Sequence, residues 1–275
     1  MNHLQRYIDS GHFKVEGWLL PLAIQGVVAL SEAQKLRGVV GSVCEIGVHH
    51  GRFFILLHLL TQPNESSAAW DLFENQTENK DASGSGDRIR FESNLRVHGC
   101  GFRRIRIFSE NSLRLTKGMI LEGAGGKVRL FSVDGGHTAE VTANDIKLAA
   151  EVLTEGGILL LDDCFNESWP GVAEGTFRCL IDQCVSIVPF AIFGNKLAFT
   201  TDLDAAEAYR KALNLLPGSF FKQTTQFFGH PVLTLVAVKP VVTRQFLSRL
   251  RAWQVIRNTA FGQWLKYSVV SRWLR

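Results

Sequence analysis

The segment Gly41-Ser-Val-Cys-Glu-Ile-Gly-Val-His-His-Gly51, with the apolar run Phe53–Leu60 behind it, decides the fold. It reads as a short buried strand, a tight glycine turn and the start of a helix. Gly47 and Gly51 carry no side chain, so a ligand can lie against the backbone there. A helix beginning near Gly51 turns free N–H groups toward that ligand, and Glu45 puts a carboxylate at the strand end. In open α/β sheets ligands bind outside the carboxyl ends of the strands, where the strand order reverses.

Outward from this turn, helices and strands alternate. Residues 19–37 have helical spacing, with Leu20, Ile24, Val28, Leu30 and Leu36 on roughly one side. Further strands are expected at 68–73, 105–108, 128–133, 158–161 and 231–238, with a hairpin 186–193/195–201 through Gly194-Asn195. Helices are expected at 88–98, 139–153, 176–184 and 204–214. The polar stretch 74–87 is a long loop, and such loops are usually lids, binding loops or disordered. Trp169-Pro170-Gly171-Val172 falls in another loop. The pattern predicts an α/β fold: a doubly wound, mostly parallel seven-stranded sheet with an antiparallel edge hairpin.

The chain of 275 residues divides into an N-terminal helical segment (1–38), the α/β domain (39–240) and a basic extension (241–275). No acidic residue follows Glu207, so the last third carries the positive charge behind the net +4. In 243–275, Phe246, Leu250, Trp253, Phe261, Trp264, Leu265, Val269 and Trp273 recur at three- and four-residue steps between arginines and lysines. That is a basic amphipathic helix or helix pair, suited to a peripheral membrane contact or to packing in a homo-oligomer. It carries no known nucleic-acid reader motif. The N-terminus lacks a secretory core. The apolar run 18–30 is too short to span a bilayer. Five cysteines without Cys-x-x-Cys spacing favour reduced thiols in a cytoplasmic protein.

Four expected strand ends present acids to one crevice: Glu45, Asp71, Glu110 and Asp134. Asp71 lies about twenty-five residues past the glycine turn, the placement that holds a ribose hydroxyl pair. Taken in order, Glu45-Ile-Gly-Val-His-His-Gly51, Asp71, Glu110 and Asp134 resemble a class I S-adenosylmethionine-dependent methyltransferase over residues 40–200. The resemblance implies a Rossmann-like methyltransferase fold. In it Gly47, Gly51 and Glu45 face the methionine part of the donor, Asp71 the ribose, and Glu110 the adenine.

Asp134-Gly-Gly-His137 and Asp162-Asp163 bring three carboxylates to two adjacent strand ends. Carboxylates so placed can share a hard cation through oxygen ligands; left alone they raise one another's pKa. The spacing is similar to that of metal-dependent O-methyltransferases acting on catechols and on sugars. That likeness implies Mg at Asp134, Asp162 and Asp163, and a hydroxyl of a sugar or other small natural product as acceptor. His137 stands where the catechol type has a lysine base, and an imidazole suits proton removal near neutrality. His137 is thus either the base or a residue that orients a neighbour. Trp169 is either an acceptor platform or core. A reading from another class also stands: a non-catalytic nucleotide-fold protein tethered by its tail to a membrane or partner.

Overall fold

The computed structural model describes residues 2–182, 184–218 and 220–237. The expected tail helix lies outside them. The described residues fall in one compact unit.

A nine-stranded sheet runs in the order β3-β2-β1-β4-β5-β7-β6-β9-β8. Its strands are β1 (Ser42–Ile46), β2 (Ser67–Asp71), β3 (Ile105–Ser109), β4 (Val128–Val133), β5 (Leu153–Asp162), β6 (Val188–Phe193), β7 (Lys196–Thr200), β8 (Phe220–Phe227) and β9 (His230–Ala237). The first five are parallel neighbours. Because β2 and β3 lie on one side of β1 and β4 and β5 on the other, the strand order reverses between β1 and β4, where a crevice opens.

Both faces of the sheet are covered. Val43, Leu130 and Ile158 face one core, and Cys44, Phe131 and Leu159 the other, as the two-residue strand period requires. On the first face lie α2 (Pro21–Leu36), α3 (Arg52–Leu59) and α8 (Leu203–Asn214); α5 (Lys117–Ala124), α6 (Ala139–Val152) and α7 (Pro170–Ile181) cover the second. In α3, Phe53 to Leu57 are all buried, so the helix is apolar almost all round, as a core helix should be. Helices α1 (His3–Asp9) and α4 (Arg88–Val97) complete the set.

The mostly parallel α/β architecture with its antiparallel hairpin is the expected one, but the sheet has nine strands where seven were expected, and other details differ. The hairpin β6–β7 is not an edge: β7 pairs with β5, and β9 and β8 extend the sheet beyond β6. Strand β8, Phe-Phe-Lys-Gln-Thr-Thr-Gln-Phe, is too polar to read as a strand, because it is an outer strand bonded on one side only. Helix α7 begins at Pro170 rather than after the loop; proline is tolerated at the first helical position, where its missing N–H has no partner to lose.

A buried cation holds the amino ends of the strands. Arg129, 1% exposed, gives Nε to both oxygens of Glu65 at 2.8 and 2.9 Å, Nη1 to Gln34 Oε1 at 2.8 Å and Nη2 to the Leu60 carbonyl at 2.9 Å. It thereby ties the ends of α2 and α3 to β4. Glu65→Ala strands this guanidinium in the core and is expected to cost about 3–5 kcal/mol in urea unfolding. A loss under about 1 kcal/mol would show that water replaces the carboxylate.

Candidate active site

The glycine turn is built by close approach. Gly47 has φ +83°, and a Cβ there would fall inside the Asp134 carbonyl. The Gly47 N–H bonds the Trp70 carbonyl at 2.8 Å and the Asp134 N–H the Ile46 carbonyl at 2.9 Å, so the ends of β1, β2 and β4 lock together at the switch point. Gly51 has a different task. At φ +89° its missing Cβ leaves room for the Phe91 ring, and it caps α3 away from the cleft wall.

Beyond these strand ends lies a cleft of about 580 Å³, within the usual range for a small-molecule site. Gly47, Asp71, Glu110, Asp134, His137, Asp162 and Asp163 all line it, whereas Glu45 and Gly51 do not. Glu45 is buried under the rim, where loss of solvation pushes its carboxyl up to about 8. It therefore lies beneath the rim and does not face the cleft. His49, rather than the neighbouring His50, lines the cleft.

At one end of the cleft Asp71 is held rigid. Its Oδ2 accepts the His49 N–H at 2.8 Å and its Oδ1 the Phe73 N–H at 2.7 Å. Each oxygen keeps a lone pair for a further donor. Gly86 lies so close that a Cβ would come within 2.6 Å of Oδ1. Glu110, with Oε1 on the Asn111 N–H at 2.9 Å, faces the same end. The 74–87 loop crosses the cleft: Glu78 holds Asn111 at 2.6 Å and Arg114 at 2.8 Å, and Lys80 reaches Glu140 on α6 at 2.9 Å.

The other end is built on β4, β5 and the start of α7. His137 stacks on Trp169 with ring centroids 4.3 Å apart, and its Nε2 lies 3.9 Å from Asp163 Oδ2. Gly171 of α7 packs so tightly that a Cβ would strike the His137 carbonyl.

Between the two ends the rim carboxyls meet a cation that the sequence does not mark. Lys196, 1% exposed, opens β7 opposite Asp162. Its Nζ is 2.8 Å from Asp162 Oδ2 and 4.2 Å from the centre of the Phe53 ring. Burial works against the ammonium, but Asp162, Asp134 and Glu45 hold it above its ordinary pKa. Burial, and then the Asp134 charge, drives Asp162 well up; burial also raises Asp134, and Asp163 rises through burial and then Asp162. One ammonium therefore faces the carboxyls of the rim.

Among the described residues, no group of three or more His, Cys, Asp or Glu is arranged to hold a metal ion. Asp162 spends one oxygen on Lys196. Asp163, at φ +54°, turns toward Asn195 Nδ2 at 3.4 Å and toward His137.

Lys196→Met removes the ammonium and leaves Glu45, Asp134 and Asp162 to face one another. Their folded pKa values then rise further above the unfolded ones. The deficit against wild type should be small near pH 4, where both states are protonated, and should grow as pH climbs toward the value of about 8 at Glu45. Urea unfolding at several pH values measures this, and a pH-independent deficit would mean that Lys196 acts only by packing.

Residues 44–164 match a family described as a methyltransferase domain. Among solved structures, the O-methyltransferase NovP aligns with 66% of this chain and 79% of its own, at 13% identity and TM-score 0.54. A Klebsiella pneumoniae protein assigned as an O-methyltransferase aligns with 74% of this chain and 91% of its own, at 14% identity and TM-score 0.51. At such identities the likeness establishes the fold. No curated protein matches the chain, and no helix among the described residues is long and apolar enough to cross a membrane. Family match and fold agree: residues 44–164 match a methyltransferase domain, and the sheet that carries them has the fold of solved O-methyltransferases.

Proposed function

We propose that the protein methylates a hydroxyl oxygen of a small molecule, with a sugar or similar polyol natural product as the acceptor class. The observation that carries this is the two-ended cleft. A glycine-lined end with a rigid acceptor carboxylate, Asp71, adjoins an end where an imidazole and an indole lie stacked. When bound, S-adenosylmethionine supplies a methyl carbon whose bond to sulfur breaks with the electron pair left on sulfur.

The chain's own residues do the rest. Asp71 accepts from the ribose hydroxyls through its remaining lone pairs, Glu110 borders the adenine, and Gly47 lets the methionine part lie on the backbone. Asp134 sits between the two ends. His137 Nε2 takes the acceptor hydroxyl's proton as that oxygen gains the methyl group. Trp169 supports the ring, and the loop over the cleft excludes water. Alignment of the two reactants is the main source of rate here.

Magnesium at Asp134, Asp162 and Asp163 is the part of the expectation that these residues do not fit. Lys196 already places a positive charge on Asp162, and Asp163 points elsewhere. No step in this reading runs through a metal. The cysteines, free and with four of the five buried, suit a reducing compartment. Any membrane or oligomer role of residues 243–275 lies outside the described residues.

Calorimetry should show S-adenosylmethionine binding, weakened about tenfold or more by Asp71→Asn through loss of charge-assisted hydrogen bonds. No heat and no saturable binding with wild type would sink the donor map. Dialysis against EDTA should leave binding and methyl transfer within about twofold, a difference well below 1 kcal/mol. Activity lost to EDTA and restored by Mg would reinstate the metal.

A further inference from the structure

The loop between β2 and α4 reaches from the donor end of the cleft to the acceptor end, and one of its side chains meets the base. Asp81 Oδ2 accepts the backbone N–H of His137 and lies 3.3 Å from His137 Nδ1. Both side chains are nearly enclosed, at 11% and 12% exposed. The other oxygen of Asp81 is held within the loop by Ser83, whose N–H donates to Oδ1 at 3.0 Å. The carboxylate is therefore fixed from its own side and offers its free edge to the imidazole. Nδ1 is buried and makes no aligned hydrogen bond among the described residues, and the Asp81 carboxylate 3.3 Å away is the charge beside it. Asp163 Oδ2, at 3.9 Å from Nε2, is beyond hydrogen-bond reach. An imidazole flanked in this way keeps its proton on the nitrogen nearer the carboxylate and leaves the other nitrogen with its lone pair.

The stacking on Trp169 fixes the plane of the ring but not its proton; only a charge at one edge does that. The charge comes from the segment whose other residues, Gln76, Glu78, Asn79 and Gly84, wall the donor end. Lys80, next in sequence, pins the segment to Glu140 in the first turn of α6, two residues beyond the cap that follows His137.

We propose that Asp81 is the positioning residue for His137, holding its proton on Nδ1 so that Nε2 faces the acceptor, and that this arrangement exists only while the loop lies across the donor end. The inference rests on the reading of His137 as the base. It adds that the base is completed by the element covering the donor.

The tautomer can be read without knowing the acceptor. Long-range 1H–15N correlation on 15N-histidine protein near pH 8, with the His137 signals assigned by their loss in His137→Gln, should show the Nδ1–H form in wild type saturated with S-adenosylhomocysteine. Asp81→Asn should move it to the Nε2–H form or to a mixture. An Nε2–H ring or a doubly protonated ring in wild type, or a spectrum unchanged in Asp81→Asn, overturns the assignment. Folding of each variant is checked by the dispersion of the remaining histidine signals.

Trypsin cleavage after Lys80 gives the second readout. S-adenosylhomocysteine should slow it about fivefold or more in wild type, the effect expected when a ligand stabilises a locally opening segment, and clearly less in Asp81→Asn. Equal protection in both proteins overturns the coupling to the loop. Should calorimetry show that S-adenosylhomocysteine does not bind, the donor reading fails; the Asp81 assignment is then decided by the same spectra of the ligand-free protein.

Discussion

Four carboxyl groups crowd the carboxyl-terminal rim of β1, β4 and β5, and one ammonium answers them. Withdrawing an ion from water costs several kcal/mol, recovered only where an opposite charge and hydrogen bonds are close at hand. Lys196 meets that condition, 2.8 Å from Asp162 and against the Phe53 ring. The surroundings follow from it. Burial pushes the Glu45, Asp134 and Asp162 carboxyls up, the Lys196 charge works against that rise, and the strand ends stay together although their charges would part them. The sheet supports this with its own geometry, since Gly47 lets the backbones of β1 and β4 touch.

Around this rim the backbone is strained in a patterned way. His49, Phe73, Ala82 and Asp163 all have positive φ without being glycine, a conformation that costs on the order of 1–3 kcal/mol at each position. Two of them serve Asp71: the His49 and Phe73 N–H groups point at its oxygens. Asp163 is turned at the end of β5 toward His137. Strain gathered at one cleft, in a fold otherwise packed to low exposure on both faces, is what a preorganised site requires.

Much of this was legible in the sequence. The strand–glycine–helix segment placed the switch point. The strand ends named Asp71, Asp134, Asp162 and Asp163, which do come to one cleft, because a parallel sheet brings successive carboxyl ends together whatever lies between them. Other features were not legible. Lys196 sits in Asn-Lys-Leu-Ala-Phe with no local mark of burial; it matters only because antiparallel pairing sets it against Asp162, more than thirty positions earlier. Asp81 is one polar residue among many in a polar loop, and only its reach to His137 distinguishes it. Glu45 looked like a ligand contact because it precedes the glycine turn. In-register pairing instead seats it beside Ser132 on the covered face. Helix α5 escaped notice for its shortness, though Thr116 caps its start and Gly125 its end.

The hairpin between β6 and β7 turns through Gly194 and Asn195. Such turns on a molecular surface ordinarily accept an added or missing residue. Here they should not. Along a strand, neighbouring side chains alternate between faces, so a shift of one position would carry the amine of Lys196 to the opposite layer and set Leu197 opposite Asp162. The length of this bend is thereby set by electrostatics about one strand away, and homologues are expected to vary its composition far more readily than its count of residues.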